Sequence, residues 1–207
     1  MSTDSPSGCL IVDARVKEFQ CIMPIANVPS VMEYGLLSYE QAAKLKHHSV
    51  AMQEVQDRRD HKQVPGGLKL HQYANLYFHA RNPMMFKRKD RVADLCVLRV
   101  SIDVLKLDGV VMSDSNAASN YVRFLHPTQW KLLDFDDIYA MDWRHQNDPI
   151  AYYRHSARKC AEVLVPHRLP PNLILGAYVV SQVASAKLTL LKFVLPLTVD
   201  SVLFFQQ

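Results

Sequence analysis

The chain has few cysteines, and the four it has, Cys9, Cys21, Cys96 and Cys160, stand far apart in 207 residues with no CxxC pair. That spacing excludes a disulfide framework and a cysteine zinc site, and it predicts reduced thiols in a cytoplasmic protein. Nine histidines are present, but His71, His79 and His126 lack metal-ligand spacing, so no metal is expected. No apolar run approaches the roughly 18 residues of a membrane-spanning helix, which predicts no membrane partner. No N-terminal segment joins a basic flank to a long apolar stretch, so a signal peptide is not expected. Internal repeats and low-complexity tracts are missing. So are the Walker A, GxGxxG and GxSxG patterns, which removes the P-loop nucleotidases, the Rossmann dehydrogenases and the serine α/β-hydrolases.

What is present describes an ordinary folding chain. Hydrophobic residues make up 49% and charged residues 21%, with a net charge of +4 and a pI near 8.8. This length predicts one domain over 16–207, preceded by a flexible tail over 1–15. The mild basic excess permits an anionic partner without requiring one. Val16–Met23 reads as a strand stopped by Pro24. Asn27 and Pro29 open a short helix that Gly35 can end, and Ser38–Gln41 has the form of a capping box. Residues 49–62 read as a polar helix with Val50, Met52 and Val55 inward and Arg58 and Arg59 outward. Further strands are expected at 74–79, 95–102, 109–112, 161–165, 174–180 and 198–205. Helices are expected after Asn82-Pro83, over 150–158 and over 181–192. Residues 113–131 lack periodicity and read as a long surface loop. Short strands with peripheral helices and no βαβ regularity indicate an α+β fold with central mixed or antiparallel sheets. No large apolar helical stripe is left over, so a monomer is expected.

Four groups of residues are candidates for chemistry. Glu162 opens an apolar strand, where an unpaired charge is costly; a carboxylate there could support a cationic, oxocarbenium-like transition state at an anomeric carbon. Its plain alternative is a surface acid paired with Arg158 or Lys159. Arg58 and Arg59 could grip a pyrophosphate through their planar forks, or form the solvated face of a helix. Tyr77, on a strand followed by a capped helix, could stack an aromatic ring, or simply fill the core. Asn116, Asn120, Tyr121, Arg123 and His126 in the long loop could hold an unpaired nucleobase, or be solvated. Lys87 and Arg88 could meet phosphates.

Four stretches together give a more specific reading. Asn27-Val28-Pro29-Ser30 through Gly35-Leu36-Leu37-Ser38 resembles the DarT family's N-L-x-S-I-x-x-x-G-L-L-S. Val55-Gln56-Asp57-Arg58-Arg59 with Val64-Pro65 resembles I-Q-x-R-R…V-P. Leu70-His71-Gln72-Tyr73, Tyr77-Phe78 and Arg81-Asn82-Pro83-Met84 resemble L-H-x-Y…Y-F…R-x-P-M. Met141-Asp142-Trp143 and Ala161-Glu162-Val163-Leu164-Val165 resemble I-D-W…A-E-F-L-V. The likeness extends over about 19–205. It implies an ADP-ribosyltransferase-like fold and a mono-ADP-ribosyltransferase toxin that uses NAD+ to modify a base of single-stranded DNA, thymidine first and guanine next. It also implies a macrodomain antitoxin as partner. Carried over by position, Glu162 is the catalytic glutamate, and Arg59, or its neighbour Arg58, the active-site arginine. Asn27, Tyr73 and Tyr77 line the NAD+ pocket with Cys21 and Arg58, and the 113–131 loop holds the target nucleotide. One departure stands out: the family's H-I-T-H is here Cys21-Ile22-Met23-Pro24. A thiol cannot both donate and accept as an imidazole does, which implies weaker or rearranged NAD+ binding. An RNA or protein target, and a non-catalytic nucleic-acid-binding relative, remain open readings.

Overall fold

The computed structural model describes residues 13–48 and 53–206. Among the described residues there are ten strands: β1 (Phe19–Pro24), β2 (Leu36–Leu37), β3 (Tyr73–Tyr77), β4 (Leu95–Val100), β5 (Val111–Ser113), β6 (Phe124–Leu125), β7 (Glu162–Pro166), β8 (Arg168–Leu169), β9 (Ile174–Val179) and β10 (Leu197–Val199). Seven α-helices accompany them: α1 (Val28–Tyr34), α2 (Tyr39–Ala42), α3 (Gln53–Asp60), α4 (Pro83–Phe86), α5 (Phe135–Tyr139), α6 (Pro149–Arg158) and α7 (Gln182–Leu190). Eight strands form one sheet in the order β10-β9-β4-β1-β3-β7-β5-β6, and β2 and β8 pair separately. All neighbours are antiparallel except β9 and β10, which α7 joins as a βαβ unit, so the sheet is mixed and the fold is α+β.

The middle of the sheet is built from runs such as Leu-Cys-Val-Leu-Arg-Val in β4, which has neighbours on both edges and is buried on both faces. Alternation sorts the side chains. Phe19, Met23, Leu76, Leu98, Val163 and Val165 fill the main core on one face. Ile22, Tyr77, Val97 and Cys160 form a smaller cluster on the other. Register lines up Gln20, Tyr77, Glu162 and Ser113 as a single row crossing β1, β3, β7 and β5.

Several local expectations change. Asn27 does not cap α1; its side-chain amide instead clasps the backbone of His48, donating to the carbonyl at 2.7 Å and accepting from the N–H at 3.0 Å. Gly35 does end α1, in a left-handed conformation where a Cβ would run into the Leu169 carbonyl. Ser38 caps α2 at 3.4 Å, but its own N–H goes to the His167 carbonyl, so the capping box is half made. Arg59 turns inward while Arg58 faces solvent; Val50 and Met52 lie outside the described residues. The 113–131 segment is not the surface loop expected: Ser113 ends β5, Ser115, Ala117 and Ala118 are buried, and β6 and a 3-10 helix from Pro127 lie within it. The last strand ends at Val199 rather than 205 and is followed by turns. Asp13–Arg15, placed in the tail by the sequence, form a turn from which Arg15 reaches Asp136 at 2.6 Å. Cys21, Cys96 and Cys160 are free and buried, and Cys9 lies outside the described residues.

Candidate active site

Glu162 is the first residue of β7, 1% exposed, on the sheet face opposite the main core. Its partners come from three other parts of the chain. The Arg59 guanidinium, on α3 and 6% exposed, donates from Nη1 to both carboxylate oxygens at 3.0 and 3.2 Å. The Ala117 N–H donates to Oε1 at 3.0 Å. The Glu162 N–H is accepted by Ser113 Oγ at 3.1 Å, and that hydroxyl donates to the Ser115 carbonyl at 2.7 Å. A buried charge supplied this way with charge-assisted hydrogen bonds is tolerable and held in one orientation. The expected neighbours are engaged elsewhere: Arg158 pairs with Asp137 and Asp134, and Lys159 donates to the carbonyls of Ile138 and Ala140.

Glu162 and Arg59 close the floor of a cleft of about 1050 Å³. Of the residues singled out in the sequence, Cys21, Arg58, Tyr77, Lys87, Arg88, Asn116, Asn120 and Tyr121 also border it. Asn27 and Tyr73 border a smaller hollow of about 190 Å³ that shares Gln56, Arg59 and Asn75 with the main cleft. Arg123 and His126 border neither. Arg123 is spent on Asp114 at 2.6 Å and His126 caps the 3-10 turn that follows it, so both shape the loop rather than face a ligand. Arg59 grips the carboxylate instead of projecting toward a phosphate. Cys21 touches the cleft but packs with the core residues Phe19 and Met23; the β1 side chains on the Glu162 face are Gln20 and Ile22. The imidazole-to-thiol exchange therefore falls beside the site floor rather than in its central row.

Burial sets the chemistry of the neighbours. It drives the Tyr77 phenol well above its ordinary range, with the Glu162 charge adding to the effect. It pushes the Cys21 and Cys160 thiols up to about 12. None of these groups ionises near neutral pH.

Sequence reasoning missed some of the lining. Gln56 Oε1 is buried without a hydrogen-bond partner among the described residues and borders both hollows. Trp143 forms part of the wall, with Phe86 and Phe205 edge-on to it at 5.9 and 5.8 Å between ring centroids. Both Gln56 and Trp143 sit inside the motifs quoted above, which is the signal that could have found them. Ala117 acts through its backbone N–H, which no side-chain pattern can report. Among the described residues no group of three or more His, Cys, Asp or Glu is arranged to hold a metal ion, and no helix is long and apolar enough to cross a membrane.

The chain is similar to known proteins over most of its length. Over 175 residues it is 30% identical to a DNA ADP-ribosyl transferase–DNA ADP-ribosyl glycohydrolase fusion protein of Thermosipho africanus, covering 80% of this chain and 43% of that protein. It is 28% identical over 166 residues to a DNA ADP-ribosyl transferase of Thermus aquaticus, covering 74% and 70% respectively. The chain thus spans under half the length of the first of these relatives. Its fold superposes on Thermosipho africanus DarTG in complex with ADP-ribose with a TM-score of 0.78 and 25% identity, over 92% of this chain and 51% of that one. On Thermus sp. 2.9 DarT in complex with ADP-ribosylated ssDNA the TM-score is 0.80 at 24% identity, over 94% and 99%. Residues 21–203 match the family model described as DarT, ssDNA thymidine ADP-ribosyltransferase. With Glu162 and Arg59 joined at the floor of one cleft, and a match spanning nearly every residue of the domain, the chain belongs to the DarT family.

Proposed function

We propose that the protein is an NAD+-dependent ADP-ribosyltransferase acting on thymidine in single-stranded DNA. The observation that carries this is the buried Arg59–Glu162 pair, oriented by the Ala117 N–H, at the floor of a cleft large enough for a dinucleotide. NAD+ would supply ADP-ribose through cleavage of its bond to nicotinamide. The unpartnered Gln56 Oε1, the Tyr77 ring and the hollow shared by Asn75 and Arg59 suit a polar, aromatic ligand of that kind.

Each group has a role. Glu162 stabilises positive charge as it develops on the ribose, and it can take the proton of the attacking base. Arg59 fixes the carboxylate's orientation. Tyr77, neutral at working pH, is an apolar wall with a polar tip. The 116–121 segment brings Asn116, Asn120 and Tyr121 to the mouth. A base must leave any duplex to reach a group 1% exposed at the floor, which fits a single-stranded substrate. Arg58, Lys87 and Arg88 suit its phosphates. The fused glycohydrolase of the Thermosipho relative makes a DNA ADP-ribosyl glycohydrolase the proposed antitoxin partner.

The test is mass spectrometry of single-base oligodeoxynucleotides after incubation with protein and NAD+. The expected result is one added ADP-ribose on the thymidine oligomer, absent with Glu162→Ala. Modification of RNA or protein alone would overturn the assignment.

A further inference from the structure

Helix α6 is an unusual wall for a cleft. None of its residues is fully buried. It is held by polar contacts: the Asp148 cap on Ala151 N–H at 2.9 Å, Arg158 on Asp137 at 2.6 Å, and the Ala157 carbonyl accepting from Asn116 N–H at 2.9 Å. The last bond joins α6 to the segment that carries Ala117, so the helix and the Glu162 anchor are one assembly. On its cleft side α6 presents Tyr152 and Tyr153, 37% and 71% exposed, with ring centroids 5.4 Å apart and planes at 71°. Tyr121, 93% exposed, stands on the rim of the same cleft. Three exposed tyrosines border a cleft also lined by Arg58 and Lys87, which brings together the two features that single strands bind, π-faces and cations.

We propose that Tyr152 and Tyr153 form a stacking platform for the nucleobase adjoining the modified one. The inference rests on the DNA-modifying reading above and extends it to residues outside the reacting groups. A base seated at the Glu162 floor leaves its neighbour at the rim, where α6 stands. Because the two rings are edge-to-face, they offer faces at a steep angle, which suits a strand turning sharply as one base goes inward. Tyr152 and Tyr153 are thus positioning residues that make the enzyme depend on what flanks its target.

The experiment measures KM for a thymidine oligomer, intact or with an abasic site on either side of the target, for wild type, Y152A/Y153A and Y152F/Y153F. In the wild type an abasic neighbour on one side should raise the oligomer KM about tenfold or more. In the alanine pair the intact oligomer should already show that rise, and the abasic site should add nothing. The phenylalanine pair should behave as wild type, and KM for NAD+ should stay unchanged throughout. An equal abasic penalty in the alanine pair overturns the proposal, as does a rise confined to the KM for NAD+, which would give the platform to the adenine instead. A wild-type protein that modifies no DNA overturns the DNA reading itself, whereas active DNA modification uncoupled from the tyrosines overturns only the platform.

Discussion

Glu162 and Arg59 cost the fold little together and much apart. Arg59→Ala should leave a buried carboxylate unpaired and lower stability by about 3–5 kcal/mol; adding Glu162→Gln to it should recover most of that loss, as a double-mutant cycle in urea would show. Glu162→Gln alone leaves the buried Arg59 without its counter-charge, so it should also lower stability, and it should reduce transfer by about 10²–10⁴-fold. His79 gives a separate test, through pH. Burial holds its imidazole down to about 4, from an ordinary value of 6.5, so between those values the unfolded chain binds a proton the native state refuses. Stability should therefore rise with pH across that window, by at most about 1.4 kcal/mol per unit from this group, and urea midpoints of His79→Gln at pH 5 and 6.5 should lie closer together than those of the wild type. At this scale the sequence was legible where charge and apolarity collide. Glu162 shows itself because a carboxylate opens Val-Leu-Val. Arg59 does not, because Gln53–Asp60 is almost wholly polar and has no apolar stripe to set the phase of the helix. Its inward turn is decided by a partner 103 residues away.

Capping and turn chemistry govern the elements around the cleft. The buried Asn82 side chain accepts from the N–H groups of Met84 and Met85 at 3.0 and 3.1 Å and opens α4, which delivers Phe86, Lys87 and Arg88 to the cleft. Asn82→Ala should cost about 1 kcal/mol, or some 2–4 °C in melting temperature for a domain of this size, and should raise KM for DNA more than KM for NAD+. That helix was visible in advance because Asn-Pro is a local signal. The pair β2 and β8 was not, since two-residue strands carry no period, and neither was α5, whose five residues make barely more than one turn. The lack of pattern at 113–131 marked only a part of that segment as loop, since β6 and a 3-10 helix lie within it. The burial of Ala117 within it was hidden, because a small side chain that lets backbone approach a carboxylate looks like any other loop alanine.

Across the whole molecule, strand order was the least readable property. Only β9–β10 and β5–β6 are neighbours both in sequence and in the large sheet, so every other pairing depends on contacts that local patterns do not encode. Net charge was readable, and it makes a prediction of its own: affinity for single-stranded DNA should fall with salt, and Lys87→Ala should reduce the slope of log K against log salt by about 0.7 if it meets one phosphate. The order of strands also has a consequence in time. The strand that begins with Glu162 slots between β3 and β5, which are made earlier, and its carboxylate then meets Arg59, made earlier still. The pair therefore cannot form until the strand that begins with Glu162 has been made. A chain stopped short of that strand holds Arg59 without its carboxylate, and so has a cation where the finished fold has a site.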